Sequence, residues 1–216
     1  GSYKDRLAMS ILQNALERGD VQTGQRVVEY TGGSTGTSLA FVSAILGLEF
    51  TAVFSNAFAK AKQQSMEAFG AEVVVINSPG GKITPELIQK MKNKAYELAE
   101  QPNTFYADQF NSPDIKNGYE SLGVEIASQL ENKADVLCAA VGTGGALMGT
   151  YSGMVSSGMD PKLIALEPLQ SPLLTTGEGG AHRVEGIGLG FEPPFLDKEK
   201  VDEMRAIDEE DAFEMC

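Results

Sequence analysis

The sequence has a single histidine, His182, and only two cysteines, Cys138 and Cys216, in 216 residues. That scarcity removes several chemistries. A Ser-His-Asp relay or a zinc cluster needs such residues gathered at a definite spacing, and no metal site can be assembled from these. Cys138 sits inside an apolar stretch and Cys216 is the last residue, so no disulfide framework is implied; both thiols are expected reduced, and Cys138 in the core. His182 reads as a surface residue of a loop. No apolar run approaches the ~20 residues that span a bilayer, and the start of the chain lacks a charged-then-apolar signal pattern, so a cytoplasmic protein without a membrane partner is expected. Basic residues are also few. Seventeen against 30 acidic residues leave a formal charge of −13, a field that opposes nucleic acid and anionic membranes, so a phosphorylated ligand has to be gripped locally. The many carboxylates are scattered over predicted helix faces, with no pair at the spacing of a glycoside hydrolase.

What the chain does have is glycine at the ends of apolar strands. Residues 136–150 read VLCAAVGTGGALMGT: an apolar run to Val141, then Gly142, Thr143, Gly144 and Gly145, then the helix formers Ala146, Leu147 and Met148. The pattern is strand, glycine turn, helix. Such a turn presents unpaired amides at a helix N-terminus, where the dipole also favours an anion, and phosphate is its natural ligand. A plain αβ turn is the alternative. Leu147 occupies the third glycine position of G-x-G-x-x-G and no Walker lysine follows, so the turn matches neither the dinucleotide fingerprint nor a P-loop.

The same pattern occurs earlier. A short strand at 26–30 (RVVEY) runs into Thr31, Gly32, Gly33, Ser34, Thr35 and Gly36, followed by an apolar helix over 37–46. Three hydroxyls and free amides at a helix start suit a second anion, such as a substrate carboxylate, although a simple capping turn accounts for the same residues. Around these turns the spacing predicts helices over 5–18, 60–69, 85–100 and 117–130, and strands over 49–55, 72–76, 104–106 and 162–167. Thr84 is the expected N-cap of the 85–100 helix with Pro85 at its first position, and the β-branched 72–76 strand is expected to be buried on both faces. Strands alternating with helices imply right-handed βαβ units and parallel sheets. The expected fold is therefore α/β, in two doubly wound halves, 1–111 and 112–216, with a break near Asn111 to Pro113. The two ends, an early Lys4-Asp5 and an acidic helix start after Asp208, give the chain the look of an internal segment, cut short at both ends.

Two anion cradles without a local acid–base constellation point to a cofactor that carries its own electronics, completed by a lysine nucleophile. Spacing alone does not single out which lysine. Four segments in the same order resemble the cysteine synthase (O-acetylserine sulfhydrylase) family of fold-type II pyridoxal-phosphate enzymes, whose relatives include tryptophan synthase β chains. They are Ser2-Tyr-Lys-Asp-Arg6, Thr31-Gly-Gly-Ser-Thr-Gly36, Gln109-Phe110 with Gly118-Tyr-Glu120, and Gly142-Thr-Gly-Gly145, and the GIGLGF run from Gly186 to Phe191 is similar too.

The resemblance implies a fold of that kind, pyridoxal 5′-phosphate as cofactor, and Lys4 as the catalytic Schiff-base lysine. It implies cofactor contacts from Ser34 and from Gly142, Thr143, Gly144, Gly145 and Ala146, and substrate contacts from Thr31, Gly32, Thr35, Gln109 and Gly186. The 1–111 half would bind substrate, with residues 49–100 as its mobile part, and the 112–216 half would hold the cofactor phosphate. Two residues depart from the family's usual pattern: Ser34 stands where asparagine meets the cofactor's 3′-oxygen, and Ala146 where threonine is usual. The implied activity is β-replacement on a serine-like amino acid through an aminoacrylate that takes up sulfide or a thiol, in a homodimer. Three other readings stand beside it: β-elimination of the serine or threonine dehydratase kind, a non-catalytic ligand-binding fragment, and a dinucleotide domain in which Glu167 would hold a ribose.

Overall fold

The structure, a computed structural model, describes residues 1–215, so the expectation for Cys216 lies outside the described residues. The chain divides into two compact units, residues 1–114 and 115–216.

In the first unit the helices and strands alternate as α1 (Lys4–Arg18), β1 (Arg26–Tyr30), α2 (Ser34–Leu46), β2 (Glu49–Ser55), α3 (Lys60–Ala68), β3 (Glu72–Ile76), α4 (Pro85–Ala99) and β4 (Thr104–Tyr106). The four strands form one parallel sheet in the order β3-β2-β1-β4, with Tyr30 beside Val53 and Val28 beside Tyr106. Placing β1 in the middle is what makes its carboxyl end a binding position, because the crossovers diverge there. Leu7, Ile11 and Leu12 of α1 are fully buried, each worth roughly 1.5–3 kcal/mol of transfer free energy. Leu87, Met91, Ala95 and Leu98 of α4 pack with Val28, Tyr30 and Val53. The start of α4 is capped as its sequence requires: the Thr84 hydroxyl accepts from the Leu87 amide at 3.2 Å, with Pro85 at the first position. Asp114, nearly buried, closes the unit by accepting from Arg18 at 3.0 Å and from Asn14 at 2.8 Å.

The second unit holds most of α5 (Asp114–Gln129), then β5 (Val136–Ala140), α6 (Gly145–Ser156), β6 (Lys162–Pro168), a one-turn α7 (Leu173–Thr176), β7 (Glu203–Ile207) and α8 (Glu209–Glu214). Its parallel sheet runs β5-β6-β7, and Val141, Leu147, Met148, Leu163 and Ala165 form its core.

Several expectations need correction. β3 is an edge strand, and its residues are at most half-buried, with Val75 44% exposed, so it is not covered on both faces. Cys138 is exposed rather than in the core, because β5 is also an edge strand and alternate residues along it face outward. α2 and α5 each begin three residues earlier than their sequence patterns indicate, since tertiary packing extends a helix into a first turn that propensity does not favour. β7 went unread altogether.

Candidate functional site

In the first unit the candidate residues gather at the carboxyl ends of β1 and β4. Thr31 is buried, and its hydroxyl oxygen accepts from the amides of Gly33 at 3.0 Å and Gly36 at 3.1 Å. The threonine therefore caps its own turn. Gly33, the N-cap of α2, carries a φ of +133°, which sets the angle at which the helix leaves the strand. The amides of Ser34 and Thr35 have no hydrogen-bond partner among the described residues, so a cradle remains for an anion at this helix N-terminus. Thr35 is buried and the Ser34 side chain is exposed.

Lys4 is the first residue of α1, with its Nζ 5.1 Å from the Tyr3 ring centroid. Its neighbour Asp5 accepts from the Ser38 hydroxyl at 2.6 Å, which ties the start of α1 to the second turn of α2. Lys4 as a whole is only half-buried, yet desolvation of its ammonium lowers the group to about 8, so a sizeable neutral fraction is present near neutral pH. An amine poised in that range is a nucleophile.

Gln109 lies across from the turn, buried, with its side-chain Nε2 donating to the Tyr30 carbonyl at 2.9 Å. One N–H of that amide is left for another acceptor. A residue that sequence reasoning missed stands beneath both: Glu29, fully buried on β1, whose carboxylate accepts from the Gln109 amide at 2.8 Å and the Tyr30 amide at 2.9 Å. Its only sequence signal was a charge inside an apolar strand.

In the second unit β5 leads through Gly142, Thr143 and Gly144 into α6. Thr143 is buried and its hydroxyl accepts from the Gly145 amide at 3.3 Å, while its carbonyl accepts from Phe195 at 3.0 Å. The amides of Gly144, Ala146 and Leu147 have no partner among the described residues. Gly144 has a φ of +85°, and a Cβ there would lie 2.7 Å from the Leu196 nitrogen. No other residue fits without displacing the 195–196 backbone. Gly142 approaches the GIGLGF run equally closely, since a Cβ on it would sit 2.6 Å from the Gly186 carbonyl oxygen. The structure thus brings Gly186 against the turn. A tight loop of outward amides at the start of a twelve-residue helix is a cradle fitted to a phosphate such as that of pyridoxal phosphate. Ala146 adds its amide but no hydroxyl.

Glu167 has another occupation than the one a dinucleotide domain would give it. It is buried and accepts from the amides of Leu174 at 2.6 Å and Thr175 at 2.8 Å and from the Thr175 hydroxyl at 2.7 Å, capping α7. With every carboxylate oxygen engaged, no ribose ligand is available there, and the dinucleotide reading loses its support. His182 is not a free surface residue either: its ring is half-buried and its Nε2 lies 2.8 Å from the Gly188 carbonyl, within the GIGLGF run.

Comparison with known proteins gives a consistent result. The family model described as pyridoxal-phosphate dependent enzyme matches residues 1–216. Cysteine synthase B of Campylobacter jejuni is 34% identical over 214 residues, which cover 98% of this chain and 70% of that protein. A cysteine synthase of Staphylococcus aureus is 34% identical over 217 residues, covering 68% of its length. Among solved structures, a cysteine synthase from Entamoeba histolytica superposes with a TM-score of 0.88 at 31% identity, and O-ureido-L-serine synthase with 0.85 at 30%. The chain spans 62% and 65% of those two chains.

Proposed function

Because this chain belongs to the pyridoxal-phosphate-dependent enzyme family, we propose that it carries out β-replacement on a serine-like amino acid, exchanging the β-substituent for sulfide or a thiol. The observation that supports this reading is the 142–145 turn, whose unpartnered amides open a helix N-terminus to an anion and whose glycines have no space for a side chain. Pyridoxal phosphate, when bound, supplies the electron sink that makes a Cα proton labile and lets a β-substituent depart. The chain's own residues do the rest. Gly142, Thr143, Gly144, Gly145 and Ala146 would hold the phosphate with backbone donors, and Ser34 would offer its hydroxyl to the cofactor. The Lys4 amine would hold the cofactor and would supply the base for the Cα proton. The amides of the 31–36 turn, the Thr31 hydroxyl proton and the remaining Gln109 N–H orient the substrate carboxylate, with Gly32 and Thr35 shaping the turn and Gly186 flanking the entrance.

In this reading the first unit is the substrate-binding half, with residues 49–100 as the part that closes, and the second holds the cofactor phosphate. Closure excludes water, which separates replacement from elimination. A cytoplasmic homodimer is the form assigned to it, and light scattering on the purified protein checks the assembly. Among the described residues no helix is long and apolar enough to cross a membrane. The deciding experiment is reconstitution with pyridoxal phosphate followed by borohydride reduction and peptide mapping. Pyridoxyl label on the Lys4 peptide is expected; label on any other lysine overturns the assignment.

A further inference from the structure

Glu29 is a fully buried carboxyl group with no cation paired to it among the described residues. Burying an unpaired carboxylate is costly, and an apolar residue would serve the core of β1 better. Its bonds show what it does instead. Oε1 accepts from the Tyr30 amide at 2.9 Å and Oε2 from the Gln109 amide at 2.8 Å, while Gln109 returns its own side-chain N–H to the Tyr30 carbonyl at 2.9 Å. The result is a closed ring of three hydrogen bonds between the end of β1 and the segment after β4, two stretches 80 residues apart in the chain. The next residue on each side reinforces it, since the Tyr30 ring stacks on Phe110 with centroids 5.1 Å apart and planes 18° from parallel. Tyr30 immediately precedes Thr31, the residue that caps the 31–36 turn.

Resting on the function proposed above, we propose that Glu29 is a positioning residue, which fixes Gln109 opposite the 31–36 turn so that an incoming substrate carboxylate meets both at once. It touches neither substrate nor cofactor and acts through Gln109 and Thr31. Burial, aided by the neighbouring charge of Asp108, pushes the Glu29 carboxyl up to about 8, against the pull of the Gln109 and Tyr30 backbone amides and of the Gln109 side chain. A group under that much desolvation is held in place by the fold and not by its own solvation.

The test uses the reconstituted protein with O-acetyl-L-serine and sulfide. Glu29→Gln keeps the volume and one carbonyl acceptor but turns an amide donor towards a backbone N–H. We expect KM for O-acetyl-L-serine to rise at least tenfold, with kcat and cofactor affinity within threefold of the parent. A parallel fall of KM performance, kcat and cofactor affinity marks a merely structural residue and overturns the proposal, as does an unchanged KM. Gln109→Ala opens the ring while leaving both backbone amides on Glu29, so it answers even if Glu29→Gln does not fold. Its KM should rise at least fivefold in the parent and by less than threefold in the Glu29→Gln background, because the two act as one unit. No change in KM, or fully additive changes, overturns the proposal. If the parent takes up cofactor and turns over but the variants show none of these effects, this proposal alone fails. A parent that takes up no cofactor defeats the functional reading along with it.

Discussion

At the end of β1 the chain turns into α2, and at the end of β5 it turns into α6, and the two turns use the same local grammar to different ends. In the 31–36 turn a buried threonine takes two of the amides for itself, at 3.0 and 3.1 Å, and the donors left over are those of Gly32, Ser34 and Thr35. In the 142–145 turn the threonine takes one amide, at 3.3 Å, and Gly144, Ala146 and Leu147 keep theirs. Both turns keep open donors, but the hydroxyl satisfies two amides of the first and only one of the second, so the first depends less on a ligand. A loop that can satisfy itself suits a ligand that arrives and leaves with every turnover, whereas a loop that leaves donors open at a helix start suits one that stays. In the function proposed above, similar strand–turn–helix sequences divide into a substrate turn and a cofactor turn, and what differs between them is how much the adjoining hydroxyl absorbs.

The comparison is tested most severely by Lys4→Ala. If chemistry belongs to the first unit and phosphate retention to the second, this variant should show no measurable turnover and no borohydride-fixed cofactor, yet retain pyridoxal phosphate through the 142–145 turn on equilibrium dialysis. Loss of that residual binding would mean the second turn does not hold the phosphate by itself. Next comes Gly144→Leu, which forces a branched side chain into a left-handed conformation and against Leu196. Cofactor affinity should fall at least tenfold, about 1.4 kcal/mol; an affinity within a factor of about two of the parent's would move the phosphate elsewhere.

Thr31→Ala is the matching change in the first turn. It removes the acceptor of two amides and one donor to a carboxylate, so amino-acid binding should weaken by roughly 1.5–3 kcal/mol with cofactor affinity unaltered. Parallel losses of both ligands would erase the distinction between the turns. Smaller still is the pH dependence of cofactor uptake. Lys4 is shifted down to about 8, so its amine is protonated below that pH and neutral above it. Stopped-flow rates of pyridoxal phosphate uptake should rise about tenfold per unit up to about pH 8 and then level. A flat profile from 6 to 9 would show that the amine is not the attacking group.

Much of this was legible in the residues, and what was not has definite causes. β1 to β4 begin and end where their apolar and β-branched runs do, because a strand next to its crossover helix is specified locally. Both glycine turns were visible for the same reason. β7 was not, since its five residues, with charged Glu203 and Arg205 among Met204, Ala206 and Ile207, are a weak signal for an edge strand whose pairing with β6 is what makes it a strand. Glu29 and Glu167 could not be placed from sequence, because the amides that each accepts are supplied by other segments, Gln109 in one case and α7 in the other. Long-range hydrogen bonds leave no periodic trace. Whether a glycine turn satisfies itself depends likewise on a side-chain rotamer, not on spacing.

Ser34 offers the finest test of the comparison, because it belongs to the substrate turn by position and to the cofactor by resemblance. It is the first residue of α2, its side chain is exposed, and its amide has no partner among the described residues. The family that it resembles usually has asparagine there, with a longer reach and two donors in place of one, set against the cofactor's 3′-oxygen. Ser34→Asn should therefore strengthen a hydrogen bond to that oxygen and shift the visible absorption band of the reconstituted protein. Substrate KM should stay within a factor of about two, since the residues that orient the carboxylate are untouched, and a change at an exposed position should alter folding stability by no more than about 0.5 kcal/mol. A spectrum identical to the parent's would show that Ser34 faces substrate and not cofactor. The first turn would then serve one ligand only, and the division between the two turns would be complete.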